Sequence, residues 1–172
     1  MHLHSSTDSA QISEAGNLLI TRATRNDLEE ILKLQYLAYQ QEAALYHDAT
    51  IPPLRETIEE LRALFPQLTI LKAVADQLII GSVRAAMHEH TCAIGRLIVH
   101  PTQQRRGIGS ALIHAIEAHF PQATRYELFT GHLSEGNIRL YQRLGYTIFQ
   151  VEPITLNLSM VYLEKCVPTA HP

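Results

Sequence analysis

The stretch Gln103-Gln104-Arg105-Arg106-Gly107-Ile108-Gly109-Ser110 holds the residue types that bind anions. Pro101 stops a β-prone run just before it, and an apolar helical pattern starts inside it, with Ile108, Ala111, Leu112, Ala115, Ile116 and His119 on one face. A turn that ends a strand and opens a helix gathers backbone N–H groups at the positive end of the helix dipole. Glycines at 107 and 109 keep β-carbons away from an approaching diphosphate, and successive turn amides make an anion-holding concavity. The segment lacks the Lys-Ser/Thr ending of a nucleotide P-loop and the G-x-G-x-x-G spacing of a dinucleotide fold. The alternative without a ligand is an arginine-rich surface turn.

Other residues capable of chemistry are more scattered. Residues 42–60 hold Glu42, Asp48, Glu56, Glu59 and Glu60 against Arg55 alone, which suits a cationic ligand by charge complementarity. The competing explanation places Glu56, Glu59 and Glu60 on the exposed, N-terminal part of a helix, where acids are favourable. His88 and His90 would share one face of a strand, a pair too small for a metal site without further ligands, so no metal is expected.

The elements that position these residues follow from periodicity. Residues 18–22 read as a strand, then a helix carries Leu28, Ile31, Leu32 and Gln35 on one face, capped by Thr24 or Asn26. Pro52 and Pro53 mark a loop before a second helix, apolar at Ile58, Leu61 and Leu64/Phe65 and stopped by Pro66. Residues 68–74 and 78–85 form an antiparallel hairpin across Asp76-Gln77, followed by a strand from about 92 to 100. After the turn and its helix come a strand at 126–130, a helix capped by Ser134 and stopped by Gly145, and a β-prone run at 146–151. Leu156, Leu158, Met160 and Tyr162 alternate with polar neighbours as a half-buried last strand, whose edge offers pairing in a homodimer. The order is βααβββαβαββ, an α/β fold with a mixed sheet of about seven strands and about four helices. Residues 18–167 are one domain, residues 1–17 a polar, disordered leader, and residues 168–172 a short tail.

Composition limits the rest. With 172 residues and 46% hydrophobic content the chain buries one core of its own. A net charge of -3 with mixed signs supplies no field for nucleic acid, and the longest apolar runs are strand-sized, so no membrane is expected. Residues 1–13 are polar, unlike a secretion signal, and Cys92 and Cys166 match neither a disulfide framework nor a metal pair, so a reducing, cytoplasmic setting fits.

Gln104-x-x-Gly107-x-Gly109 resembles the Q/R-x-x-G-x-G/A signature of the GNAT N-acetyltransferases. Leu97-Ile98-Val99-His100-Pro101 is similar to that family's cofactor-side strand, and residues 137–146 are similar to its Asn-x-x-x-Tyr-x-x-x-Gly-Tyr segment. The resemblance implies an acetyl-CoA dependent transfer of acetyl to a primary amine by direct attack in a ternary complex. It implies that amides of Arg105, Arg106, Gly107, Ile108, Gly109 and Ser110, next to Gln104, hold the pyrophosphate. The backbone of Leu97, Ile98 and Val99 would pair with the pantetheine arm, beyond a splay of parallel strands after Val99 and Leu128, with Asn137 as a further contact. Tyr141, one helical turn after Asn137, would be the general acid to the leaving thiolate; periodicity alone makes it a core residue beside Ile138 and Leu144. The family's usual carboxylate on the cofactor-side strand is missing, since residues 94–97 read Ile-Gly-Arg-Leu. Glu89 stands as the expected base, with His88, Glu42, His47 and Asp48 as alternatives, and Glu42 and Asp48 as acceptor contacts. A rival class is a catalytically silent acyl-CoA-binding module, for which the Tyr141 hydroxyl would have no purpose.

Overall fold

The computed structural model describes residues 11–13 and 17–168. One mixed sheet of eight strands runs through it: β1 (Gln11–Ser13), β2 (Leu18–Arg22), β3 (Thr69–Ala75), β4 (Leu78–His88), β5 (Thr91–Val99), β6 (Arg125–Gly131), β7 (Thr147–Pro153) and β8 (Ser159–Cys166). Their spatial order is β1-β2-β3-β4-β5-β6-β8-β7. Among these neighbours β5 and β6 are parallel, and helix α4 (Ile108–Ala118) lies between them in the chain. The other helices are α1 (Leu28–Tyr46), α2 (Pro52–Arg55), α3 (Ile58–Leu64) and α5 (Glu135–Arg143).

The mixed sheet and the expected element order are present, with four local differences. The short strand β1 pairs with β2 inside the stretch expected to be a leader; the rest of that leader (1–10, 14–16) and residues 169–172 lie outside the described residues. The double proline is a four-residue helix, because Pro52 sits in the first turn where its missing N–H costs nothing. The last strand starts at Ser159, and Leu156 is exposed in a turn closed by Ile154 and Thr155 N–H groups on the Leu158 carbonyl. His90 is in the β4–β5 turn with Glu89, not on a strand beside His88. The hairpin at Asp76-Gln77 is as expected, and φ of 49° and 65° at these two residues matches the primed turn that right-twisted strands favour.

Two cores pack on opposite sides of the sheet. Leu112, Ile113 and Ile116 of α4 join Leu71, Val83, Ile94 and Leu163 in one; Leu28, Ile31 and Leu32 of α1, with Leu61 of α3, join Ile70, Ile79 and Ile98 in the other. Each fully buried aliphatic contributes about 1.5–3 kcal/mol. Burial also pushes the phenols of Tyr39, Tyr126, Tyr141 and Tyr146 above their ordinary value and the Cys92 thiol up to about 12. The folded state therefore favours their protonated forms. That stabilisation is whole below the unfolded values, about 8.5 for Cys and about 10 for Tyr, and is lost as pH rises beyond them. The melting temperature, followed by circular dichroism, is expected to hold from pH 7 to about 8.5 and to fall with increasing slope above about pH 10.

Candidate active site

β5 and β6 share a ladder of only three pairs: Thr91 with Arg125, Cys92 with Tyr126 and Ala93 with Glu127. Past these pairs the strands part, well before Val99 on β5 but at Leu128 itself on β6, next to the position expected there. The facing edges of residues 94–99 and 128–131 are left outside the β5–β6 ladder, and such backbone groups call for a partner. A bulge adds to the distortion, because Ser82 pairs with Ile98 but Arg84 pairs with Gly95. Two residues of β5, Arg96 and Leu97, thus oppose Val83, and Arg96 takes φ 48°. The side-chain phase slips accordingly: Cys92 and Ile94, then Leu97 and Val99, all meet the α4 core, while Ile98 meets the α1 core.

Beyond Val99 the chain makes the turn read from the sequence. Arg105 has φ 62° and Gly107 φ 80°, and Gly107 caps α4 without a side-chain hydrogen bond. The first helical N–H bonded back within the helix is that of Ala111, to the Gly107 carbonyl, so the amides of Ile108, Gly109 and Ser110 face outward at the helix end. Arg105 and Arg106 are exposed beside them, and Gln104 fixes the turn by donating from Nε2 to Gln41 Oε1 at 3.2 Å and to the Val99 carbonyl at 3.4 Å. The two glycines have different reasons. A β-carbon on Gly107 would touch nothing, but φ 80° is costly for any other residue, whereas one on Gly109 would meet Leu140 Cδ2 at an ordinary 3.4 Å. Gly107→Ala is expected to lower stability by about 1–2 kcal/mol, and Gly109→Ala by clearly less, as read by urea unfolding.

α5 and the C-terminal half of α1 wall the split. Tyr141 is 5% exposed, its ring 6.1 Å from that of Tyr146, and Asn137 Nδ2 reaches Thr130 Oγ1 at the end of β6 at 3.5 Å. Burial raises the Tyr141 phenol, and the neighbouring Tyr39 and Glu42 raise it further. It therefore stays protonated at neutral pH, the state an acid needs. Ser134 is the N-cap residue of α5 as expected, but its hydroxyl donates to Glu42 rather than accepting from the helix, while the Tyr46 hydroxyl accepts from the Leu133 N–H at 2.9 Å. Three α1 residues, Gln41, Glu42 and Tyr46, thereby tie both banks of the split together.

Below them sits a polar cluster that the sequence pattern did not reveal. Glu56, 8% exposed, accepts from Arg84 Nη1 at 2.9 and 3.2 Å and from Gln35 Nε2 at 2.8 Å, with Arg96 Nε 3.9 Å away. Gln35 had registered only as part of an apolar helix face. A polar residue at a core position is a signal in itself, since buried amides need partners.

The remaining expectations fall elsewhere. Glu89 is exposed in the β4–β5 turn with φ 55°. At about 3.3 Å per residue along β5, that places Glu89 and the adjacent His88 at the far end of the strand, on the order of 25 Å from the Gly107 turn. Asp48 accepts from the Thr50 N–H and hydroxyl at 2.8 and 2.6 Å, and these bonds lower its carboxyl. His47 ends α1 in a left-handed conformation. Glu60 is engaged in a capping box with Thr57, so the acidic bias of residues 42–60 is largely structural. Among the described residues no three His, Cys, Asp or Glu gather as metal ligands, and no helix is long and apolar enough to cross a membrane.

Residues 26–146 match the model of the "Acetyltransferase (GNAT) family". The PaiA N-acetyltransferase of Thermoplasma acidophilum, in complex with coenzyme A, superposes with a TM-score of 0.74 at 19% identity, covering 88% of this chain and 99% of that one. YncA of Salmonella typhimurium, with its cofactor acetyl-CoA, gives 0.70 at 19% identity over 91% of this chain and 98% of that one. At such identities the likeness is one of fold. UPF0157 protein YqkA of Bacillus subtilis (strain 168) is 27% identical over 142 residues, which are 80% of this chain but 41% of that protein's length.

Proposed function

Because the chain belongs to the GNAT family, we propose that it is an acetyl-CoA-dependent N-acetyltransferase that acetylates a primary amine by direct attack in a ternary complex formed at the β5–β6 split. The observation that carries this reading is the three-pair parallel ladder opening onto a glycine turn with outward amides. An amide-bearing arm fits the freed strand edges as an added strand would. The left-handed Gly107 and the amides of Ile108, Gly109 and Ser110 fit a pyrophosphate.

In this reading the backbone of Leu97, Ile98 and Val99 pairs with the pantetheine arm, the turn from Gln104 to Ser110 holds the diphosphate, and Asn137 makes a polar contact. Acetyl-CoA supplies an acyl carbon already activated as a thioester, and the products are an amide and a free thiol. Tyr141 donates a proton to the departing sulfur. Glu42, directed by the Ser134 hydroxyl and acting on the Tyr141 phenol, replaces Glu89 as the group that receives the amine's proton, directly or through water. Residues 18–167 form the single catalytic domain of this reading, and the buried thiol of Cys92 suits the reducing cytoplasm expected for it.

Isothermal titration with acetyl-CoA, followed by a thiol-release screen over amine acceptors, tests the proposal. Micromolar binding with acceptor-dependent thiol release is the expected result. Binding without turnover would move the chain to the silent class, and absence of binding would remove the reading altogether.

A further inference from the structure

The recess between α1, α3 and the sheet is lined by Gln35, Ser82, Arg84, Arg96, Ile98 and apolar neighbours. Its charges do not balance. Two guanidiniums share one carboxylate: Glu56 bonds Arg84 at 2.9 Å and lies 3.9 Å from Arg96 Nε, which is buried and has no hydrogen-bond partner among the described residues. The Tyr39 hydroxyl meets another part of the same guanidinium, but a buried N–H without a partner is costly, which favours an anion at this position. The Glu56 oxygen nearest Arg96 already accepts from Gln35 Nε2 at 2.8 Å and from Arg84 Nη1 at 3.2 Å, and at 3.9 Å it is out of hydrogen-bond range of Arg96 Nε.

Arg96 sits on the bulge of the split strand, at the bank where the acetyl group would be delivered. Tyr39, on α1, lies against it, and the charges of both Arg96 and Glu42 act on that phenol. Tyr39 does not cancel Arg96, because its phenol is raised and neutral at pH 7. Tyr39 and Glu42 are one helical turn apart, with β-carbons about 5–6 Å apart. An anion receiver, Arg96 beside Tyr39, and a proton acceptor, Glu42, are thus a small molecule's length from each other. A polyamine would set further positive charge beside two guanidiniums, which opposes the cationic acceptor that the acidic bias suggested.

We propose, resting on the acetyltransfer reading above, that the acceptor is a small amine that also carries a carboxylate, of the amino-acid class, and that Arg96 receives the carboxylate while the amine faces Glu42. Arg84 is the positioning residue that holds Glu56 away from that role.

Paired acceptors test this: amino acids and the amines of the same skeleton without the carboxylate, with thiol release as the readout. In the wild type, kcat/KM is expected to be at least about tenfold higher for the carboxylate-bearing member, a charge-assisted bond's worth of discrimination. In Arg96→Met the ratio should fall towards one, chiefly through KM, while calorimetry still shows acetyl-CoA binding. The deaminated acid of a preferred acceptor should inhibit the wild type competitively against the amine, a readout that stands even if the variant fails to fold. Turnover with equal or better use of the carboxylate-free amines, or no competition by the acid, overturns the inference and leaves acetyltransfer intact. A protein that binds no acetyl-CoA overturns the reading beneath it.

Discussion

Tyr141→Phe is expected to lower kcat about a hundredfold and to leave the Kd for acetyl-CoA within a few-fold of the wild type. General acid catalysis by a placed side chain typically contributes 10²–10⁴ in rate. A thiol of pKa about 8.5 leaves fairly well without help, so the effect belongs at the low end of that range. The Phe ring keeps the packing against Tyr146, whose centroid is 6.1 Å away, so the melting temperature should move little. Burial is the main reason the phenol titrates above its ordinary value, followed by Tyr39 and Glu42. The acid thus remains protonated beyond about pH 10, and no alkaline loss of kcat from this group is expected between pH 7 and 10. A single-turnover measurement separates the chemical step from product release. If the variant matches the wild type in that measurement, water protonates the thiolate and Tyr141 is a core residue after all.

What sequence revealed and what it concealed divide along a physical line. Alternation, helix faces and the Asp76-Gln77 turn are local, and each strand from Leu18 onward was placed from them, although Leu156 was assigned to a strand that begins at Ser159. The glycine turn was legible because a bare helix start following a strand needs those residue types at that spacing. Register was not. That the parallel ladder stops at Ala93 and that Arg96 and Leu97 bulge depend on how two sheet faces pack, a long-range matter that no window of sequence contains. Glu89 was misplaced for the same reason: only the pairing of His88 with Thr91 shows that it occupies a turn. Thr57-x-x-Glu60 and Asp48-x-Thr50, by contrast, are local capping patterns, and they already account for acids that looked available for a ligand.

The second large effect concerns the cluster beside the site. Glu56→Ala is expected to destabilise the fold by about 3 kcal/mol or more, because removing one partner of a buried ion pair leaves the other charge uncompensated. Glu56 is 8% exposed, its side chain is bonded by Arg84 and Gln35, and its backbone carbonyl accepts from the Tyr36 hydroxyl. Without the carboxylate, the Arg84 and Arg96 guanidiniums lose their shared counter-charge. For a domain of this size the loss corresponds to roughly 6–12 °C in melting temperature. Arg84→Met in the same background should return part of that loss, since a methionine fills similar volume without charge, and the double-mutant cycle isolates the pair. Acetate offers a sharper discrimination. If the two guanidiniums form a true anion receptor, millimolar acetate should raise the melting temperature of Glu56→Ala more than that of the Glu56→Ala, Arg84→Met double variant. A loss below about 1 kcal/mol, with no response to acetate, would mean that water already solvates the cluster and that its charges cost little to separate.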